Sequence, residues 1–558
     1  MAKKQMRLVG VVASVALLST ALAGCSTQPT ATAPVNHTVA QQGAQPTYGG
    51  TLTMDLSSPF PHLDPALAYD TTSYEAVTQM YDQLLTYKGT SNTIIPDLAS
   101  RWSISKNGKV YSFWMKNAKF WNGDPVTADS FITEFQRVLS FSASGGQGFI
   151  APLIVGSEAF EKGQAKTISG MKSLDGGKEL QITLTQPSPT FQYVLAMPFF
   201  SAVDPKYIAA HPDTAKNDYM AQHPMGTGAF ELSSVNPGQQ WVFTKNPHYF
   251  KKGLPYLSKL VFNLDSSPES VLLHFEQGQT QFIGYNQAGN GIPGPDYLPI
   301  MSSKWKSDTY TTTQVSTNYI GLNSSVAPTN NLLVRKAMEY AVNKEELLRI
   351  VNGRGVIANQ PIPISMPSGY QTHLPASATY NYNPTMAKKL LKEAGYHGQA
   401  VTIYSDNSNP TDALTAQALQ GMFKQVGISA KVKLTSWNVF LANNETGKQG
   451  VFTLAWLEDF PDPSDFLNTL LNSNQRPVNN SSMFNDKAVD KLLNKAQTMP
   501  NGPARNAIYK QVESLVMEQA PWIPYVYPTF TAVFQPNVHG YYLNPNLVDP
   551  FQAMWISK

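Results

Sequence analysis

The chain has 558 residues, 42% of them hydrophobic and 11% aromatic, which is enough apolar surface for two or three separate cores. Charged residues make up only 14%, and the surplus polar residues are neutral, so recognition through long-range electrostatics is excluded. Of the net charge of +3, three cations (Lys3, Lys4 and Arg7) lie within the first ten residues; the remainder carries no net charge and no basic patch able to hold nucleic acid.

In chain order, MAKKQMR is a basic leader. The run LVGVVASVALLSTALAG follows it and ends in small residues. This pattern predicts an export signal over residues 1–24. The signal ends Leu22-Ala23-Gly24-Cys25, which resembles the lipobox of a bacterial lipoprotein. That likeness implies cleavage before Cys25, lipid on the new terminus and attachment to a membrane through it. Cys25 is the single cysteine, so the exported chain has no internal disulfide. Residues 25–45 are poor in bulky apolar side chains and read as a flexible tether.

The body alternates helices and strands, and an α/β fold is expected. KVYSFWMKNAKF (109–120) alternates and is rich in aromatics, as a strand does. TADSFITEFQRVLS (127–140) reads as a helix capped by Thr127. LLVRKAMEYAVNKEELLRIVNG (332–353) reads as one amphipathic helix, and Asn383-Pro384 opens another that ends at Gly395. AVTIYSD, TDALTAQALQGMFKQVG and ISAKVKLTSW have the spacing of a strand–helix–strand crossover with parallel strands. Late helices fit NDKAVDKLLNKAQ and PARNAIYKQVESLVMEQA.

Within AWLEDFPDPSDFL (455–467), Glu458, Asp459, Asp462 and Asp465 crowd four carboxylates into eight residues between apolar flanks. A calcium loop lacks its glycine and is interrupted by Pro461 and Pro463. A glycosidase pair has no second partner in view. The bland reading is a capped turn, with Asp462-Pro463-Ser464-Asp465 opening a helix and some of the acids solvated. Asp459 stands apart. It follows the apolar VFTLAWL run, so it falls at a strand end, where open α/β sheets bind ligands. The rest of the chain has no HExxH, CxxC, GxSxG or Walker A motif, so neither a metal nor a cofactor is expected. Gly226-Thr227-Gly228 reads as a tight turn before a strand.

These residues resemble a known family. LDP at 63–65, PDLASRWSISKNGKVYSFWMKNAKFWNGDPVTADSFITEFQRVL (96–139), PMGTGAFEL (224–232), KNPHYF (245–250), RKAMEYAVNKEELL (335–348), the AWLEDFPDP turn and PARNAIYKQVESLVMEQAPWIPYVY (503–527) follow its order and spacing. The chain is similar to the extracytoplasmic solute-binding proteins, family 5, that serve ABC importers of oligopeptides and dipeptides. The resemblance implies a type II periplasmic-binding-protein-like fold: a first lobe over 46–89, 203–312 and 522–558, an inserted domain over 90–202 and a second lobe over 313–521. It also implies a monomer that binds short peptides and hands them to a permease, and not an enzyme. By analogy, Asp459 receives the ligand's ammonium. Tyr69-Asp70-Thr71 and Ala455-Trp456-Leu457 would be edges that pair with an extended ligand. Trp437 is a candidate aromatic wall, and Asn318 and Tyr319 are candidate cleft residues. Phe460 stands where relatives often have Tyr. No cation nearby is an evident partner for a ligand carboxylate. Another solute (a nickel chelate, opine or oligosaccharide), a peptide-signal receptor and, more remotely, an exported hydrolase are the alternatives.

Overall fold

The computed structural model describes residues 45–557, apart from 57–58, 142–143, 213–218, 266, 285–291, 408–409 and 544–547. The export signal, Cys25 and nearly all of the tether lie outside the described residues. Among those described, no helix is long and apolar enough to cross a membrane.

Three sheets organise the chain. In the first, Thr51–Leu56 pairs in parallel with Lys259–Leu264, and the sheet continues antiparallel through Gln240–Lys245 and Phe230–Asn236. Its alternating inward residues, among them Leu52, Met54, Leu260 and Phe262, build one core with helix Thr71–Met80. The Gly226 and Gly228 turn serves this packing. A Cβ on Gly226 would lie 1.9 Å from the Met80 carbonyl oxygen, and the Gly228 N–H donates to that same oxygen at 2.8 Å. The turn precedes strand Phe230–Asn236, as its sequence suggests.

The second sheet is antiparallel, in the order Ala99–Ile104, Val110–Met115, Glu179–Thr183, Met171–Leu174. It packs its own core against helix Ala128–Ser140, whose N-cap is Thr127. Asp64 of the LDP motif is fully buried and receives both guanidinium nitrogens of Arg137 from that helix.

The third and largest sheet centres on Ser316–Leu322. This strand pairs antiparallel with Val451–Leu457 on one side and with Trp522–Phe534 on the other. Val401–Asp406 and Ala430–Thr435 pair in parallel through helix Pro410–Val426, as the crossover spacing predicts. The 332–353 stretch differs from expectation. It forms two helices, Leu332–Ala341 and Lys344–Ile350, because Val342 turns extended and the Asn343 side chain caps the second by accepting from the Glu346 N–H. A side-chain acceptor that competes with the helix ladder ends the first helix despite a continuous apolar stripe.

Strand Trp522–Phe534 joins two cores. Its first half (Ile523, Tyr525, Val526) lies in the core of the large sheet, and its second half (Phe530, Ala532, Phe534) in the core of the first sheet. Thr309–Thr313 and Ser316–Leu322 run along the same path and pair with it throughout. The molecule is therefore a two-lobed α/β fold with two adjacent strand crossings, the arrangement on which lobes hinge.

The cleft around Asp459

Strand Val451–Leu457 carries the acidic turn at its end. Its ladder to Ser316–Leu322 continues through the Glu458 N–H, which donates to the Val315 carbonyl at 3.0 Å. In an antiparallel ladder alternate residues face alternate edges. Trp456 and Leu454 therefore bond inward, while the amides and carbonyls of Ala455 and Leu457 face the other edge. On that edge Val401–Asp406 matches only Val451 and Phe452. Among the described residues, Ala455 and Leu457 thus present main-chain groups that no strand pairs.

After the strand, Asp462 caps helix Pro463–Leu471 by accepting from the Ser464 N–H at 3.0 Å, as the Asp-Pro-Ser-Asp pattern predicts. The solvated acids expected there are not found. Glu458, Asp462 and Asp465 are only 8%, 3% and 1% exposed. A partner from a distant helix accounts for Asp462, and donors within the same stretch account for Asp465. Arg505, from helix Pro503–Gln519, grips Asp462 with both terminal nitrogens at 2.6 and 2.9 Å. One carboxylate oxygen of Asp465 accepts both the Trp456 indole N–H (3.0 Å) and the Asp459 N–H (3.1 Å), which pins the turn to its strand. The third acid, Glu458, has no hydrogen-bond partner on either oxygen among the described residues.

Asp459 itself faces a cavity of about 450 Å³, lined also by Tyr69, Phe149, Trp456, Phe460 and Asn468. Its side-chain partner is the Tyr69 hydroxyl, which donates to Oδ1 at 3.1 Å across 390 residues of sequence. Burial raises the Asp459 carboxyl to about 6, and the Tyr69 hydrogen bond opposes the shift. Burial and the Asp459 charge push the Tyr69 phenol upward. The opposite wall comes from the 145–194 segment. Phe460 packs edge-on to Phe149 and stacks on Tyr193, with ring centroids 6.4 Å apart in each pair. Arg505 is the one cation among the lining residues and is already committed to Asp462, so the cavity offers its charge as carboxylate.

The other candidates are distributed as follows. Tyr69 belongs to no strand, Asp70 caps helix Thr71–Met80 by accepting from the Ser73 N–H, and Thr71 begins that helix, so Tyr69–Thr71 is not an edge strand. A short capped helix competes for these backbone groups. Tyr319 turns inward and stacks on Trp522 at 3.6 Å; it belongs to the core and not to the cleft wall. Asn318, opposite Ala455 in the ladder, lines a second cavity of about 160 Å³ with Gln314 and Arg354. Trp437 begins helix Trp437–Asn444, is 44% exposed and does not line the Asp459 cavity. Elsewhere, Asp55, Asp265 and His274 gather their ligand-type atoms within 4.8 Å. A hydrogen bond between His274 Nδ1 and the Asp55 carboxylate at 2.6 Å accounts for that cluster.

The sequence profile of bacterial extracellular solute-binding proteins, family 5 Middle, matches residues 93–477. The chain belongs to this family. This family 5 protein is 27% identical over 549 residues to heme-binding protein A of Haemophilus influenzae, covering 96% of each chain. It is 26% identical over 503 residues to the dipeptide-binding protein of Escherichia coli K12, covering 86% of this chain and 90% of that one. Among solved structures it is similar to HbpA2 from Haemophilus parasuis, with a TM-score of 0.78, 25% identity, and coverage of 91% of this chain and 100% of that one. It also shares its fold with DppA from Helicobacter pylori, solved in complex with the peptide STSA, with a TM-score of 0.75, 24% identity, and coverage of 92% and 99%. The family and these relatives are binding proteins, in keeping with a site that presents binding groups on two lobes.

Proposed function

We propose that the protein captures short peptides outside the cytoplasmic membrane and delivers them to the permease of an ABC importer. The observation that carries this reading is the pairing of a carboxylate with an open strand edge. Asp459 waits at the end of a strand whose Ala455 and Leu457 main-chain groups have no strand partner. A peptide's α-ammonium would displace the neutral Tyr69 hydroxyl from Asp459, and its extended backbone would pair with Ala455 and Leu457. Main-chain pairing does not depend on side-chain identity, so a range of sequences is accommodated. The names of dipeptide- and tripeptide-binding relatives support the same class of ligand. The separate cores support a division into a first lobe (46–89, 203–312, 522–558), an inserted domain (90–202) and a second lobe (313–521), except that Leu84 and Leu85 pack in the core of the inserted domain and Ile523, Tyr525 and Val526 in that of the second lobe; closure of these parts over the cleft would trap the ligand. The leader and Cys25 support a lipid anchor at the outer face of the cytoplasmic membrane, where the protein acts as a monomer.

The test is Asp459→Ala. Removing one partner of a buried charge pair costs about 3–5 kcal/mol, roughly a hundred- to several-thousand-fold in affinity. Titration calorimetry should show that loss for free-amine peptides and little change for their N-acetylated forms. Equal losses for both would reject the ammonium role.

A further inference from the structure

Glu458 directly follows strand Val451–Leu457 and immediately precedes Asp459, yet it does not line the Asp459 cavity. It is 8% exposed, and neither carboxylate oxygen has a hydrogen-bond partner. A buried, unbonded carboxylate is one of the costliest groups a native fold can hold in its charged form. Its surroundings make ionisation harder still. Asp459 and Asp465 face it from its own turn and the following helix, and both disfavour its charge. Tyr87 of strand Leu85–Lys88 and Tyr193 of helix Phe191–Val194 lie within its electrostatic reach from across the cleft, and the Tyr87 hydroxyl is itself unbonded. Tyr74 of helix Thr71–Met80 stands beside Tyr87. Among the described residues no cation acts on Glu458, and Arg505, the cation of this turn, is bound to Asp462.

The rings that pack on this turn, at Phe460, come from the other side of the cleft. Tyr87 stacks on Tyr193 with centroids 6.3 Å apart, and Tyr193 stacks on Phe460 at 6.4 Å, two residues beyond Glu458. Separating the lobes would break the Tyr193–Phe460 contact and admit water to the turn.

We propose that Glu458 couples closure of the cleft to the uptake of one proton, being ionised when the turn is open to water and neutral when Tyr193 closes on Phe460 and the turn is sealed. The closed form then binds more protons than the open form. Closure is favoured at low pH and weakens as pH rises above the ordinary carboxylate range, by at most tenfold per pH unit. Asp459 acts in the opposite sense below about pH 6, where it must lose a proton to receive an ammonium. Glu458 therefore governs the neutral and alkaline range.

The decisive experiment has two arms, and only the second rests on the peptide reading. Small-angle scattering of the ligand-free protein from pH 5.5 to about 8.5 should show the wild type opening as pH rises. Glu458→Gln should stay compact throughout, and Tyr193→Ala, which keeps the carboxylate but uncovers it, should lose the pH dependence. Calorimetry with trialanine at about pH 7.5, in two buffers of different ionisation enthalpy, should then show the wild type taking up more protons on binding than Glu458→Gln, by up to one. The variant should also bind at least about tenfold more tightly at pH 8. Identical scattering profiles and proton counts in wild type and Glu458→Gln would overturn the proposal. Failure of trialanine to bind at all would count against the peptide reading and leave the scattering arm to decide the role of Glu458.

Discussion

One oxygen of Asp465 holds two N–H groups, the Trp456 indole and the Asp459 amide, so the aim of the ligand-facing carboxylate depends on a side chain six residues away. Asp465→Ala leaves both donors buried and unsatisfied, which costs about 1–3 kcal/mol for such a group, and should weaken peptide binding. Asp465→Asn keeps an acceptor and should largely restore it; calorimetry on the pair checks this. The Arg505–Asp462 pair is structural in the same turn. Arg505→Ala strands a buried carboxylate and should lower stability by about 3–5 kcal/mol, read as a fall in the denaturant midpoint. Asp459 has its own pH signature. Its carboxyl lies near 6 before ligand arrives, and an ammonium binds only the ionised form, so in the Glu458→Gln variant, which takes up no opposing proton at that position, affinity should fall as pH drops below about 6, by up to tenfold per unit. A binding profile that stays flat from pH 7 to 5 would contradict this.

At the scale of elements, strand Val451–Leu457 is split between two tasks. Val451 and Phe452 are paired on both edges and anchor it, while Ala455 and Leu457 keep one edge free. Ala455→Pro removes an N–H that the sheet does not use and is tolerated at such an edge. It should reduce peptide affinity about five- to twentyfold, the worth of one hydrogen bond plus local crowding, with little change in melting temperature. The break between helices Leu332–Ala341 and Lys344–Ile350 shows the opposite situation, in which a local acceptor overrides apolar periodicity. Asn343→Ala should cost about 1 kcal/mol by losing the cap, measured by thermal unfolding.

At the scale of the molecule, the groups proposed to bind ligand come from both lobes, and the fold stores several carboxylates away from water. Burial raises Asp549 and Glu339 to about 7 each and Asp97 to about 6. These groups hold protons in the folded chain that the unfolded chain has lost, so the folded state binds more protons between about pH 4 and 7. Stability should therefore decline as pH rises through that window, giving a higher melting temperature at pH 5 than at pH 8. A ligand that binds only the folded, closed protein should raise the melting temperature at either pH.

The order of helices and strands, the crossover at 401–435, the caps at Thr127, Asn383 and Asp462, and the candidacy of Asp459 were all legible from the amino-acid sequence. Each depends on side-chain chemistry within a few residues or on apolar periodicity along one segment. The fate of the neighbouring acids was not legible, because Arg505, Tyr193, Tyr87 and Tyr69 reach the turn from distant parts of the chain. Nothing local says whether a carboxylate will meet a guanidinium, a phenol or no partner. Chain composition and pattern thus determined which lobes could form and where a binding strand would end. Only tertiary packing decided that Asp459 stays available, that Asp462 and Asp465 become structural and that Glu458 is sealed without a partner, because the free energy of a charge is set by everything within a few ångströms of it, whatever its distance along the chain.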